Sequence, residues 1–219
     1  MSAHHQRCSP DHWRLILVTD RAACGTRDLI TVVEQAAAGG VTCVQFRDKA
    51  ASYAEALSMA QALRALLVPK GIALIINDRI DVALACGAHG IHLGQHDTPI
   101  AQARRLIPMN MAIGWSVETL DQVEAANTMD VDYLGVSPVF ATPTKTDTAQ
   151  PWGLGGLKRA RAVTHKPLVA IGAIDESNIG SVRSAGADGC AVVRALCAAN
   201  DPTAAAARLR AAMDRGATP

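Results

Sequence analysis

Six residues in three short stretches carry the most explicit chemistry in the sequence. The run Gln45-Phe46-Arg47-Asp48-Lys49 ends an apolar, β-branched segment. A period of two puts Gln45, Arg47 and Lys49 on one face, with Val44 and Phe46 on the other. A guanidinium fork, an ammonium point charge and an amide converging at a strand end suit a diphosphate. The alternative is a solvated strand end whose cations pair with Asp48. A second pair of segments supplies carboxylates: Asn77-Asp78 closes one apolar run, and His92-Leu93-Gly94-Gln95-His96-Asp97 closes the next. If those strands are neighbours, Asp78 and Asp97 approach one another, and two carboxylates plus phosphate oxygens and water form a hard-oxygen shell for Mg²⁺. Read separately, Asp78 is also a credible helix N-cap and Asp97 a turn former before Thr98-Pro99.

Further polar positions lie later in the chain. Ser116 sits beside Trp115 on a fifth apolar run, where Trp115 reads as core. Thr142, Thr144 and Lys145 lie in a segment stiffened by Pro138 and Pro143, read as a loop closing over an anion, with Gly153-Leu154-Gly155-Gly156 as its hinge. Gly172-Ala173 and Val193-Arg194 end the last two apolar runs, where backbone N–H groups at helix starts hold phosphate in many barrels. Gly186 and Gly189 read as turn glycines. His89, His92 and His96 have a helical spacing on a segment that reads as a strand. They are therefore a poor zinc set, and His92 is expected to be a satisfied interior histidine.

The elements that must position these groups alternate at a steady pace. Strand-like runs begin at Leu15, Thr42, Ala73, Gly90, Met111, Tyr133, Pro167 and Gly189, separated by Ala-rich segments of helical period. Ser52 (with Glu55 in capping-box position), Thr119 and Asp175 are candidate N-caps, and Thr203–Arg215 reads as an outer helix. Eight such units without a linker predict a single (β/α)₈ TIM barrel over residues 14–219, preceded by a polar leader at 1–13. The Gly-rich GxGxxG turn of an open dinucleotide-binding sheet is absent after the first strand. In such a barrel, chemistry belongs at the C-terminal ends of the strands.

Composition narrows the function classes. The chain has 219 residues, 49% of them apolar and 3% aromatic, with a formal net charge of +1. No global field or basic helix favours nucleic acid, and no apolar run reaches membrane-spanning length. Six cysteines without CxxC spacing read as reduced, mostly buried thiols. With no signal-peptide h-region, a cytoplasmic location is expected.

Taken in order, LILVTDR, VQFRDK, IINDRIDVALACGAHGIHLGQHD, GVSPVFATPTKTD, VAIGAI and AGADGCAVV resemble the blocks of the thiamine-phosphate synthase (thiamine-phosphate pyrophosphorylase) family, from about Leu15 to Leu196. The resemblance implies a transferase that joins an aminopyrimidine diphosphate to a thiazole phosphate, or to a carboxythiazole phosphate tautomer with added loss of CO2, releasing pyrophosphate. It implies that Gln45, Arg47, Lys49 and Asn77 hold the diphosphate substrate and that Asp78 and Asp97 bind Mg²⁺. Ser116 would lie near the reacting pyrimidine, with Thr142, Thr144 and Lys145 contacting substrate. Gly172, Ala173, Val193 and Arg194 would take the thiazole phosphate, with Arg47, Lys49, Ser116 and Lys145 the residues closest to catalysis. Two positions depart from the family pattern: Ala173 replaces the second glycine of a Gly-Gly turn, and Arg194 replaces a serine. Two rival readings are a thiazole tautomerase-like isomerase, which needs no diphosphate clamp, and a non-enzymatic phosphate-ligand sensor. Oligomeric state is left open, a homo-oligomer included.

Overall fold

The computed structural model describes residues 8–141 and 150–216. Eight strands, β1 (Leu15–Val18), β2 (Cys43–Phe46), β3 (Ala73–Asn77), β4 (Gly90–Leu93), β5 (Ala112–Val117), β6 (Tyr133–Val136), β7 (Leu168–Ile171) and β8 (Gly189–Val192), close into one parallel barrel in chain order. Each strand starts within a residue of its expected position. Closure is made by β1 against β8, with Ile16 opposite Ala191 and Leu17 opposite Val192.

The strands are short and bury both faces, so their sequence reads as continuous apolar runs rather than alternation. The two faces nevertheless serve different layers. Ile16, Val18, Cys43, Ala73, Ile75, Ala112, Val169 and Ala191 point inward and fill the barrel. Their chain neighbours, such as Leu15, Leu17, Val44, Phe46, Leu74 and Trp115, pack outward beneath the helices. Those helices are α1 (Leu29–Ala38), α2 (Tyr53–Leu67), α3 (Ile80–Cys86), α4 (Ile100–Leu106), α5 (Leu120–Ala126), α6 (Gly153–Val163), α7 (Ile179–Ser184), α8 (Arg194–Cys197) and α9 (Pro202–Gly216).

Local sequence fixes the helix starts. Ser52 caps α2 in a capping box with Glu55, and Thr119 does the same for α5 with Gln122. Asp175 caps no helix. Its carboxylate instead accepts from Ser177 N at 2.8 Å, and α7 begins four residues later, after Asn178. The segment Gly153–Gly156 forms the first turn of α6 rather than a loop hinge.

Before β1, Pro10–Trp13 forms a 3₁₀ turn whose Trp13 ring, 2% exposed, lies 4.5 Å from the Tyr133 ring and closes the barrel floor. At the other end of the chain, α9 packs on α1 and α7. It is tied down by Thr203 donating to Gln35 O at 2.9 Å and Arg210 donating to Gly40 O at 3.1 Å. All six cysteines are free, and all but Cys8 are buried. Burial pushes the Cys190 and Cys197 thiols up to about 12, so they act as packing groups. Among the described residues no helix is long and apolar enough to cross a membrane.

Candidate active site

At the C-terminal end of the strands the barrel opens into a cavity of about 400 Å³. Gln45, Arg47, Lys49, Asn77, Asp78, Asp97, Ser116, Gly172, Ala173, Val193 and Arg194 all line it. Of the residues assigned from sequence to substrate or metal, Thr142, Thr144 and Lys145 lie outside the described residues.

The basic edge is built by β2 and its following loop. Gln45 is the last inward residue of β2 and is 6% exposed. Beyond the strand, the Thr19 hydroxyl clamps the backbone of Arg47 from both sides: Arg47 N donates to Thr19 Oγ1 at 2.9 Å, and that hydroxyl donates to Arg47 O at 3.1 Å. Asp48, the alternative partner for these cations, is engaged elsewhere. It pairs with Arg21 at 3.4 Å and accepts from the Ala50 and Ala51 amides at 3.2 Å. Arg47 and Lys49 therefore face the cavity rather than their own neighbour.

Asp78 and Asp97 meet across the mouth, as the adjacency of β3 and β4 requires. Asp78 is held at φ 61°, a left-handed backbone in which Asp and Asn are among the few side chains commonly found. Its carboxyl is pushed up to about 6 by burial first, then by a hydrogen bond and charge from Asp97, with Lys49 and Arg47 partly offsetting. Lys49 Nζ stands 3.9 Å from Asp78 Oδ2. Asp97 also fulfils the turn role, its Oδ2 accepting from Gly94 N at 2.7 Å. Asp78 is no side-chain cap: α3 starts after Arg79 without one.

Two carboxylates forced together, one of them holding its proton up to about pH 6, form a site short of positive charge. Both ligands are hard oxygens. Among the described residues no third His, Cys, Asp or Glu completes a metal cluster. Asp78 and Asp97 are the residues here that could hold a hard cation.

Opposite this edge lies the turn after β7. Gly172 has φ 115° and Ala173 has φ 48°, so both positions occupy backbone that glycine adopts most readily. A side chain at Gly172 would press into Pro138. Asn178 braces the turn, donating to Ala173 O at 3.0 Å and accepting from Asp175 N at 3.0 Å. Here the first helix turn lies well beyond the cavity, whereas α8 starts at Arg194 directly after β8. The phosphate geometry expected at both strand ends thus has a helix start only at the second.

The deep wall holds what the sequence reading understated. His92, 8% exposed, is the satisfied interior histidine expected: its Nδ1 lies 2.8 Å from Tyr133 Oη and its Nε2 2.9 Å from Ser116 Oγ. His89 sits at the far end of β4, its Nδ1 accepting from Leu74 N at 3.0 Å. Tyr133 lines the cavity from β6 and was legible only as a strand residue. The signal that marks it is Gly114. β5 pairs Gly114 with His92 on one side and Tyr133 on the other. A side chain at Gly114 would overlap the Tyr133 ring, which crosses that vacant position to reach His92.

A family model described as thiamine monophosphate synthase matches residues 15–196. The chain belongs to that family. It is 60% identical over 201 residues to the thiamine-phosphate synthase of Albidiferax ferrireducens, covering 92% of each chain. It is 49% identical over 205 residues to that of Vibrio parahaemolyticus, covering 92% of this chain and 98% of the other. Among solved structures, the thiamine phosphate pyrophosphorylase from Pyrococcus furiosus superimposes with a TM-score of 0.87 at 34% identity, covering 94% of this chain and 98% of that one.

Proposed function

We infer that the protein is a thiamine-phosphate synthase, a transferase that joins an aminopyrimidine diphosphate to a thiazole phosphate and releases pyrophosphate. The observation that carries this reading is one cavity in which a basic edge, a strained carboxylate pair and a glycine-type turn face one another. Near-full-length identity to synthases supports it.

The bond that breaks joins the pyrimidine's exocyclic methylene to the diphosphate oxygen, and the leaving diphosphate takes the electron pair. The bond that forms joins that methylene to the thiazole nitrogen. The pyrimidine's amino group spreads positive charge from the methylene, so a dissociative path needs neither a strong base nor a covalent nucleophile. It needs stabilisation of the leaving charge, alignment of two substrates and exclusion of water. In this reading Arg47 and Lys49 bind the diphosphate, Gln45 and Asn77 orient the pyrimidine end, and Ser116 lies at the reacting carbon. Asp78 and Asp97 would hold Mg²⁺, which when bound supplies charge neutralisation to the leaving diphosphate. Lys145, Thr142 and Thr144 complete the proposal from the segment after β6. Gly172, Ala173, Val193 and Arg194 take the thiazole phosphate, the Arg194 guanidinium adding charge where the family pattern has a hydroxyl. The enzyme acts in the cytoplasm as one catalytic domain over residues 14–219.

The test is direct. Purified protein with both substrates and Mg²⁺ should form thiamine phosphate and pyrophosphate in equal amounts, and EDTA should stop both. Binding of both substrates without pyrophosphate release would turn the reading toward a sensor.

A further inference from the structure

Four polar side chains inside the barrel form a chain that the synthase reading uses only at its ends. Gln45 on β2 contacts the Tyr133 phenol with its side-chain amide. Tyr133 Oη lies 2.8 Å from His92 Nδ1, and His92 Nε2 lies 2.9 Å from Ser116 Oγ. The barrel clears space for this chain at two neighbouring positions. A side chain at Gly114 would strike Tyr133, and one at Gly135 would come 2.9 Å from the His92 ring.

Counting protons gives the chain a direction. Tyr133 is 1% exposed, and burial pushes its phenol well above the usual range, so it keeps its proton. The ring nitrogen His92 Nδ1, 2.8 Å from the buried phenol oxygen, is the acceptor that takes the single phenolic proton. A neutral imidazole that accepts at Nδ1 carries its own proton on Nε2. That N–H donates to Ser116 Oγ, and the Ser116 proton is left over. The Ser116 carbonyl is already occupied by the Gln95 side-chain amide, and Ser116 lines the cavity.

We propose that Tyr133 is a positioning residue: by holding His92 as the Nε2–H tautomer, it makes the Ser116 hydroxyl a one-way hydrogen-bond donor aimed into the cavity. The acceptor is an atom of the pyrimidine diphosphate, an assignment that rests on the synthase reading. A donor oriented before substrate arrives needs no reorganisation as charge develops. A serine whose partner histidine could exchange tautomers would spend part of its time presenting a lone pair instead.

Long-range ¹H–¹⁵N correlation spectra of histidine-labelled, substrate-free protein test the direction, with the His92 signal assigned by its loss in His92→Gln. The expected result is a protonated Nε2 and an unprotonated Nδ1 at neutral pH. Tyr133→Phe removes the donor to Nδ1, so its His92 should become a tautomer mixture and kcat/KM should fall about tenfold. His92→Gln, whose amide can still donate from the ε position, should keep about tenfold more activity than His92→Ala. A wild-type His92 protonated on Nδ1 overturns the proposal, and this reading needs no variant to fold. So does a Tyr133→Phe protein with an unchanged tautomer and kcat/KM within about twofold of wild type. Because the spectra need no substrate, a wild-type protein that makes no thiamine phosphate counts against the synthase reading alone.

Discussion

Replacing Asp78 by Asn should make the metal-free protein more stable while removing its activity. Asn tolerates the φ of 61° that Asp78 occupies, so the substitution takes away charge and leaves the backbone alone. Moving a carboxyl from its ordinary 3.8 to about 6 corresponds to about 3 kcal/mol of lost stability at neutral pH. The side chain is 25% exposed, and screening reduces the expected cost to about 1–2 kcal/mol. The sign follows from proton uptake. Between pH 3.8 and about 6 the native state binds more protons than the unfolded chain, so stability falls as pH rises through that window. Above it the whole penalty is present; below 3.8 it is absent. Urea unfolding in EDTA should therefore show Asp78→Asn more stable than wild type by about 1–2 kcal/mol near pH 7.5, with the gap closing near pH 4. Millimolar Mg²⁺ should raise the wild-type midpoint and leave the variant's unmoved, while turnover in the variant drops by about a hundredfold or more. Equal stability of the two proteins in EDTA near neutral pH, or an equal Mg²⁺ response, would refute the reasoning.

Substitutions at three other positions probe separate parts of the site. Arg47→Ala should lower kcat/KM by about a hundredfold and Arg47→Lys by less, since lysine keeps the charge but not the fork; steady-state kinetics with varied pyrimidine diphosphate decide, and equal losses would remove the bidentate role. Ala173→Gly should relieve left-handed strain of about 1–2 kcal/mol, less the added flexibility of the unfolded chain, for a net gain of about 0.5–1 kcal/mol. It should also lower KM for the thiazole phosphate, and a destabilised variant would show that the turn is not strained. Gly114→Ala drives a methyl into the Tyr133 ring and should cost about 3 kcal/mol or more by thermal unfolding; a loss under about 0.5 kcal/mol would mean that the ring yields easily.

The barrel and most of its rim were legible because both depend on local pattern. Short apolar runs bounded by turn residues define parallel strands, and the C-terminal ends of those strands are where Arg47, Asp78 and Asp97 had to fall. What escaped was interior chemistry. Tyr133 reads as a β-forming residue in YLGV, and nothing within that run says that its hydroxyl reaches His92. The relation lies in register, which places Gly114 between the two, and register across three strands is not written in any one of them. The helix after β7 misled for a similar reason. Asp175 has the composition of a cap, but Asn178 braces the turn and delays the helix to Ile179. The separate readings of Asp97 as turn former and as half of a carboxylate pair proved compatible, because one oxygen accepts from Gly94 while the carboxyl as a whole raises Asp78.

The pairing of β1 with β8 has a consequence for how the molecule is made. β1 occupies residues 15–18 and its partner residues 189–192, so during synthesis β1 keeps one side without a neighbour until about 170 further residues have followed. That side is an open row of peptide groups, the kind of surface that recruits strands from other chains. α9, which braces α1 and α7, is later still. A nascent chain of this protein thus carries an unpaired strand edge until residues 189–192 have been made. Ribosome stalling or premature termination anywhere before β8 should yield aggregates rather than a smaller working enzyme.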